Sequence, residues 1–485
     1  MINNTSDRTD CFKVFTSSPI SYTFTTSGDG TIKDVRASVK TQSVKTAPGE
    51  CKVTAHALFT VISENDDGLY QEENLVTFDV GFKDERISDN SPVRVLHTIT
   101  DVKFAANGDD YLISAIIDSE ADFFSFEPVS FRGEIEDAIV KTQQIDGLVK
   151  LSTFSEVSDF DGEKECSFEI KTMLCHDECV RITSCGASVN QVYATGEIIS
   201  EFLVTSRRGE FIRETLVVPF RFESDCEDCL PENKVTVSAD MVNSAYTVEN
   251  DERRAVVSGA FTVNFTFNVF KNCSFTVVED AFSQKCELSL VRDDILLTAD
   301  VGTRELKYKC FGEASSDKGD DYVAGVTAFA VYAFDYNKDG DTLNLSGVIK
   351  ADLLVRNKEG TLRKAQAELP FTCAFDYDGA PVSVAVAITH FTAKDLDGKC
   401  VVECELLFDT QYYINKKYTV VVDATAGEPR KQDDSAVRII FVKKGDDCWS
   451  VCKKACVSEN DLLKQNPDLT FPAEKDSGIV IYNKM

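Results

Sequence analysis

The sequence is short of several residue types that mark particular functions. Its 485 residues include one Trp, four Met and four His. No stretch approaches the roughly 18 apolar residues of a membrane-spanning helix, so we expect no membrane span. Cations are also scarce, since 51 Lys and Arg stand against 81 Asp and Glu, and the net charge is −30. This charge argues against nucleic acid and anionic lipid as partners, because both bind clustered cations.

Cysteine usage indicates a reducing compartment. The chain has 17 Cys, an odd number with scattered spacing, and its opening residues MINNTSDRTD lack the basic and apolar regions of a secretory signal. We therefore expect a cytosolic protein with mostly free, core-forming thiols. Zinc remains a weaker alternative, because its possible ligands fall into two sets about 40 to 50 residues apart. These are Cys175, His176, Cys179 and Cys185 in one set and Cys226 and Cys229 in the other.

The dominant pattern is alternation of apolar and polar residues. It is clear in residues 235–239, 261–270 and 382–386, and Gly-rich turn signals separate such runs. Apolar residues at every second position give a strand one buried and one solvated face. The sequence therefore predicts a mainly all-β protein built from antiparallel strands.

A hairpin-like segment recurs along the chain. Residues 196–220 and 347–371 both begin with Gly, carry an internal glycine 13 residues later (Gly209 and Gly360), and end in Pro-Phe. This order predicts a strand, a glycine turn and a second strand. A degenerate copy without the proline is placed at residues 49–78.

A second block follows each hairpin and begins at Val93, Val235 and Val382, which are 142 and then 147 residues apart. A period of this length is typical of tandem domains rather than of a solenoid. We predict three β-sandwich-like repeat domains, at residues 1–130, 131–277 and 278–420.

The composition and the residue pattern change in the last part of the chain. Residues 421–435 are small, polar and Pro-containing, which predicts a linker. Residues 436–485 then predict the order β-α-α-β. Asp447 is the expected cap of the first helix (448–455), and Ser458 with Asp461 forms a capping box for the second.

This last segment resembles a LysM domain. The match lies in VKKGD from Val442, the Trp449 region, Leu462-Leu463, Asn466-Pro467 and IVIY from Ile479. The resemblance implies that LysM binding loops, which in most members hold N-acetylglucosamine polymers, are formed here by Lys444, Gly445, Asp446, Asp447, Asn466, Pro467, Asp468 and Leu469. It implies a core formed by Trp449, Val451, Leu462, Leu463, Ile479 and Ile481. Cys448 and Cys452 replace the family's usual Leu and Ala, and we expect them to pack in the core.

Three acidic β-domains followed by one LysM domain resemble the SPOCS-domain spore coat proteins of Firmicutes. The resemblance implies a non-enzymatic adaptor in endospore coat assembly. It would act in the mother-cell cytosol and be recruited to the forespore surface, where its LysM domain docks on a spore morphogenetic coat-basement protein, an ATPase. The alternative is a peptidoglycan-binding protein that attaches the acidic domains to cell wall or cortex. Self-assembly is left open.

The remaining candidate sites have weaker support in the sequence. Asp335, Asn337, Asp339 and Asp341 match the opening of a calcium loop, but Ser346 stands where an EF-hand needs Glu, so a solvated hairpin turn is favoured. No catalytic triad, nucleophile elbow or phosphate loop is visible. We expect no enzymatic activity and no cofactor.

Overall fold

A computed structural model of the protein describes residues 3–25, 30–89, 91, 93–107, 110–314, 322–357, 359–396, 399–430 and 437–482. The described chain is mainly β, and its strands form several small antiparallel sheets. None of its described helices combines the length and the apolar character needed to cross a membrane.

Eighteen of the strands fall into three groups of six along the chain. The first group is β1 Asn3–Phe24, β2 Thr31–Ala47, β3 Glu50–Asn65, β4 Gly68–Lys83, β5 Val93–Asn107 and β6 Asp110–Arg132. The second is β7 Ile139–Cys166, β8 Ile170–Ser188, β9 Gln191–Ser206, β10 Phe211–Asp225, β11 Lys234–Asp251 and β12 Arg254–Phe282. The third is β13 Cys286–Ala314, β14 Tyr322–Asp339, β15 Thr342–Arg356, β16 Leu362–Asp376, β17 Ala380–Leu396 and β18 Lys399–Pro429.

The same strand order occurs in each group. The second, third and fourth strands form one antiparallel meander, as in β8-β9-β10. The sixth strand lies between the first and the fifth in the other sheet, as in β7-β12-β11. In the second group Phe202 of β9 and Phe265 of β12 belong to one buried core, so the two sheets face each other across apolar side chains.

The recurring Gly and Pro-Phe positions lie opposite each other in the sheets. Gly196 pairs with Phe220, and Gly347 pairs with Phe371. A Cβ atom added to Gly196 would lie 2.7 Å from the Phe220 ring, so the glycine makes room for the aromatic ring. In the first group the partner of Phe78 is Ala55. Gly49, the first residue of the degenerate copy, lies in the turn before β3, so this copy forms a hairpin that has no glycine opposite Phe78.

Residues 421–429, expected to be linker, continue strand β18. Asp423 pairs with Val291 and Ala426 with Leu288. Val421 is fully buried against neighbouring strands, which explains why the strand continues into a segment of small residues. Residues 431–435 of the expected linker lie outside the described residues. The three groups end at residues 132, 282 and 429, later than the expected boundaries at 130, 277 and 420.

The three groups meet at a polar junction. The buried Arg36 of β2 donates hydrogen bonds to Asp177 Oδ1 at 2.6 Å and to the main-chain oxygens of His176 and Thr327 at 3.0 Å. A cavity of about 1090 Å³ beside it is lined by all three groups. Facing charges pair there, as in Lys40 with Glu178 at 3.0 Å, so these polar side chains link the groups to one another.

Candidate functional site

The segment 437–482, called the helical module below, has the order strand, helix, helix, strand. Its elements are β19 Val437–Val442, α1 Cys448–Ala455, α2 Glu459–Gln465 and β20 Ser477–Tyr482. Asp447 caps α1 by accepting from Ser450 N–H at 2.7 Å, and Ser458 caps α2 by accepting from Asp461 N–H at 3.1 Å. These capping contacts follow the spacing in the sequence.

A small core holds the two helices on the two-stranded ribbon. Val451, Leu462, Ile479 and Ile481 are buried within it. Leu463 is 37% exposed, so its predicted place in the core was wrong. It follows Leu462 on a short helix, and only one of two successive positions can face the ribbon.

The loop after β19 is held by main-chain bonds. Gly445, with φ of 93°, donates to Ala473 O at 2.8 Å, and Ala473 N–H donates to Asp446 O at 3.0 Å. The Asp446 carboxylate accepts from Lys443 N–H at 2.9 Å. Of the predicted binding-loop residues, Lys444, Pro467 and Asp468 are exposed, and Asp447 is exposed although its carboxylate caps α1. Leu469 packs partly against the core.

Asn466, predicted to contact a ligand, is used inside the module. Its Nδ2 donates to Val480 O at 2.9 Å, and its Oδ1 accepts from Val480 N–H at 3.1 Å. Gln465 does the same for Tyr482, with Oε1 accepting from the main-chain N–H at 2.8 Å. Two side-chain amides thus occupy the outer edge of β20, and we assign Asn466 a structural role.

Trp449 lies at the contact between the helical module and the long strand β12. Its Nε1 donates to Asp280 Oδ2 at 2.8 Å, and its ring centroid lies 5.3 Å from that of Phe282. Lys453 also donates to Asp280, at 2.7 and 2.8 Å. Trp449 also packs against the module's own core. The sequence does not indicate Asp280 or Phe282 as its partners, because neither lies in residues 436–485.

The charge on Asp280 is stabilised at this contact. Partial burial alone would raise the pKa of Asp280, but the hydrogen bonds from Lys453 and Trp449 outweigh it and keep the pKa below its usual value. Arg292 adds an ion pair at 2.6 Å. Asp280 is therefore an ionised acceptor that holds the helical module on the strand groups.

One face of the module's ribbon is apolar and exposed. The exposed fractions are 46% for Val437, 64% for Ile439, 72% for Phe441 and 56% for Tyr482. Ile440 and Val442 face the module's interior, so β19 carries apolar residues on both faces. Such a pattern is typical of a strand that is covered on both sides. The segment VRIIFV carries this signal, because apolar residues stand at both alternating sets of positions.

The thiols of α1 lie side by side. Cys448 Sγ and Cys452 Sγ are 3.9 Å apart, and burial together with the neighbouring Cys452 raises the pKa of Cys448 to about 12. A thiol in this state is a poor nucleophile and a poor metal ligand at neutral pH.

The two candidate zinc sets lie on different elements. Cys175, His176, Cys179 and Cys185 are spread along β8, while Cys226 and Cys229 lie between β10 and β11. Among the described residues, no three His, Cys, Asp or Glu side chains gather as metal ligands.

The calcium-like motif is part of a hairpin. Asp335, Asn337 and Asp339 lie on β14, where alternate residues are separated by about 6.6 Å, and Gly340 and Asp341 form the turn to β15. Asn337 Oδ1 accepts from Asn344 Nδ2 at 3.1 Å across the strands. Oxygens spread along a strand do not converge on one ion, so the calcium alternative is not supported by this geometry.

The comparisons with known proteins identify no relative. No protein-family model, no curated protein and no solved structure matches this chain.

Proposed function

We propose that the protein is a non-enzymatic adaptor whose helical module binds a protein partner and thereby recruits the acidic strand groups to it. The observation that carries the proposal is the exposed apolar row Val437, Ile439 and Phe441 on one strand. Contiguous apolar surface of this kind is typical of protein interaction sites. The predicted glycan loops, in contrast, present mainly charged side chains and Pro467.

Charge distribution supports a division between a recruited part and a recruiting part. Residues 436–485 hold eight basic and seven acidic residues, a net charge of +1. The rest of the chain holds 43 basic and 74 acidic residues, a net charge of −31. A strongly acidic body keeps a scaffold soluble and resists contact with anionic wall polymers, whereas a nearly neutral module can approach either kind of partner.

The particular role follows from the resemblance in the sequence. The whole-chain order resembles the clostridial coat-localising protein that binds stage IV sporulation protein A. On this basis the partner is the coat-basement ATPase around the forespore, and the protein works in the mother-cell cytosol during coat assembly. The LysM and SPOCS assignments are part of this proposal.

A binding comparison tests the proposal. Full-length protein, its Ile439→Arg variant and its Leu463→Arg variant are each mixed with the purified basement ATPase and, separately, with insoluble peptidoglycan. Both substitutions add one cation at an exposed position of the module. We expect the ATPase to bind the wild type and Leu463→Arg, and to lose at least about tenfold in affinity for Ile439→Arg. Binding to peptidoglycan without binding to the ATPase would favour the glycan alternative and overturn the proposal.

A further inference from the structure

The ribbon of the helical module has two unlike edges. On β20, the main-chain groups of Val480 and Tyr482 are bonded by the Asn466 and Gln465 side chains. Val480 pairs with Ile439 and Tyr482 with Val437 across the ribbon. In an antiparallel pair, two directly opposite residues either both point their N–H and C=O groups at each other or both point them away from the ribbon. The main-chain groups of Val437 and Ile439 therefore point outwards from β19.

The outer edge of β19 is open to another strand. Within the described part of the chain, β19 pairs with β20 alone. Phe441 O confirms the outward direction, because it accepts from the flexible Lys454 side chain at 2.7 Å. The residues with outward main-chain groups are also those with the exposed apolar side chains. A strand added at this edge would gain backbone hydrogen bonds and would extend the apolar face.

The charges around this edge select the occupant. Lys443, Lys444 and Lys454 are exposed near β19, and Asp446 uses its carboxylate within its own loop. A second copy of the chain would bring the same cations to this edge, and like charges disfavour the pairing of β19 with another β19. The edge fits a segment of a different protein that carries carboxylates.

We propose that β19 receives an extended segment of the partner protein, with apolar residues at alternate positions and acidic residues at its ends, as the third strand of the ribbon. The inference rests on the proposed function, since it specifies how the same surface binds. Strand addition explains why one edge of the ribbon is bonded by amide side chains while the other carries both the open main chain and the apolar row.

Hydrogen exchange in the full-length protein, with and without the purified basement ATPase, tests the mode of binding. We expect the amides of Ile439 and Phe441 to slow by at least about tenfold in the complex, as newly formed strand bonds do. The amides of β20 serve as the internal control and should not change. If the ATPase binds but β19 exchange is unaltered, strand addition is wrong while the adaptor function stands. If the ATPase does not bind at all, the proposed function fails first.

A substitution series separates the main chain from the side chain. Ile439→Ala keeps the outward N–H and removes most of the apolar side chain, whereas Ile439→Pro also removes the N–H. Proline is tolerated at a strand edge whose N–H faces solvent, and Trp449 fluorescence reports whether the module remains folded. We expect Ile439→Pro to weaken ATPase binding several-fold more than Ile439→Ala. Equal losses would overturn the proposal.

Two further measurements test the choice of occupant. Affinity for the ATPase should fall as salt rises, because the cations near β19 attract acidic ends. An affinity independent of salt would contradict the acidic segment. Protection of β19 that grows with the protein's own concentration, without ATPase, would assign the edge to a second copy instead.

Discussion

Strand β19 of the helical module and the long strands of the three groups differ in how their exposed apolar side chains are distributed. In the groups, large exposed apolar side chains stand at separated positions, as with Phe15 on β1, Leu75 on β4 and Phe311 on β13. On β19 three of them occupy successive outward positions. Scattered apolar residues are normal on a protein surface, whereas a continuous row is typical of an interface. The large apolar side chains of the groups are mostly buried, in part against one another, as in the shared cluster of Ile62, Leu203 and Leu354. The described chain leaves the row on β19 uncovered.

The largest expected effect concerns the module's core. Leu462→Ala should lower the free energy of unfolding of the module by about 2 to 5 kcal/mol, because Leu462 is fully buried and its truncation leaves a cavity. Unfolding in denaturant followed by Trp449 fluorescence measures this. The neighbouring Leu463→Ala is the matched control and should change stability by less than about 0.5 kcal/mol. Equal effects of the two would mean that the module does not form the core described above.

A pH dependence of intermediate size is expected within the strand groups. Asp122 of β6 is 2% exposed, and burial raises its pKa to about 6 despite the attraction of Lys13. Because the folded pKa exceeds the ordinary value of 3.8, the ionised form costs stability, and that cost grows as pH rises from about 4 through 6. Because the asparagine amide of Asp122→Asn cannot ionise, we expect the variant to be more stable than the wild type by about 2 to 3 kcal/mol at pH 7.

Unfolding of wild type and Asp122→Asn at pH 4 and pH 7 checks the sign. The variant should gain stability relative to wild type at pH 7 and lose that advantage at pH 4. Asp118→Asn, at an exposed position on the same strand, should follow the wild-type profile. A wild type that becomes more stable through this pH range, relative to Asp122→Asn, would contradict the assignment.

The smallest expected effect concerns the contact between the two regions. Asp280→Asn removes the negative charge that pairs with Lys453 and Arg292. We expect the contact between the helical module and β12 to weaken by about 1 to 2 kcal/mol. Trp449 emission should shift to longer wavelength as the ring becomes more hydrated. The matched control is Asp137→Asn, an exposed carboxylate that pairs with Lys285.

Acid should weaken this contact, whereas it should relieve the cost of ionised Asp122. The lowered pKa of Asp280 means that its contribution is present at neutral pH and is lost as pH falls through that pKa. Trp449 emission in the wild type should therefore shift at acid pH, and the shift should be absent in Asp280→Asn. An identical acid response in both proteins would show that Asp280 does not hold the module.

Local patterns predicted the local structure well. Alternation indicated strands, and Asp447 and Ser458 indicated helix starts, because both signals depend on residues that are close in sequence. The Gly and Pro-Phe repeat indicated a hairpin, but the pairing of Gly196 with Phe220 required the register of the sheet. The linker prediction failed at residues 421–429, since composition does not reveal that β13 is available as a partner.

The site was harder to predict than the fold. The LysM-like match drew attention to the loops and assigned Asn466 to binding, yet its amide bonds to the edge of β20. Trp449 packs against the module's core, but the match gave no sign that its ring also meets Phe282, which lies 167 positions earlier in the sequence. A motif describes its own segment and carries no information about the surface on which that segment rests.

The sequence alone determined that this chain forms antiparallel strands, that its acidity lies outside the last 50 residues, and that a two-helix module follows the strands. These properties depend on residue chemistry and short-range spacing. Only the tertiary structure decided which apolar residues are covered. It buried Val421 in an expected linker, turned Trp449 toward Asp280, and left Ile439 and Phe441 exposed beside an open edge. Coverage depends on distant strands that come together only when the whole chain folds.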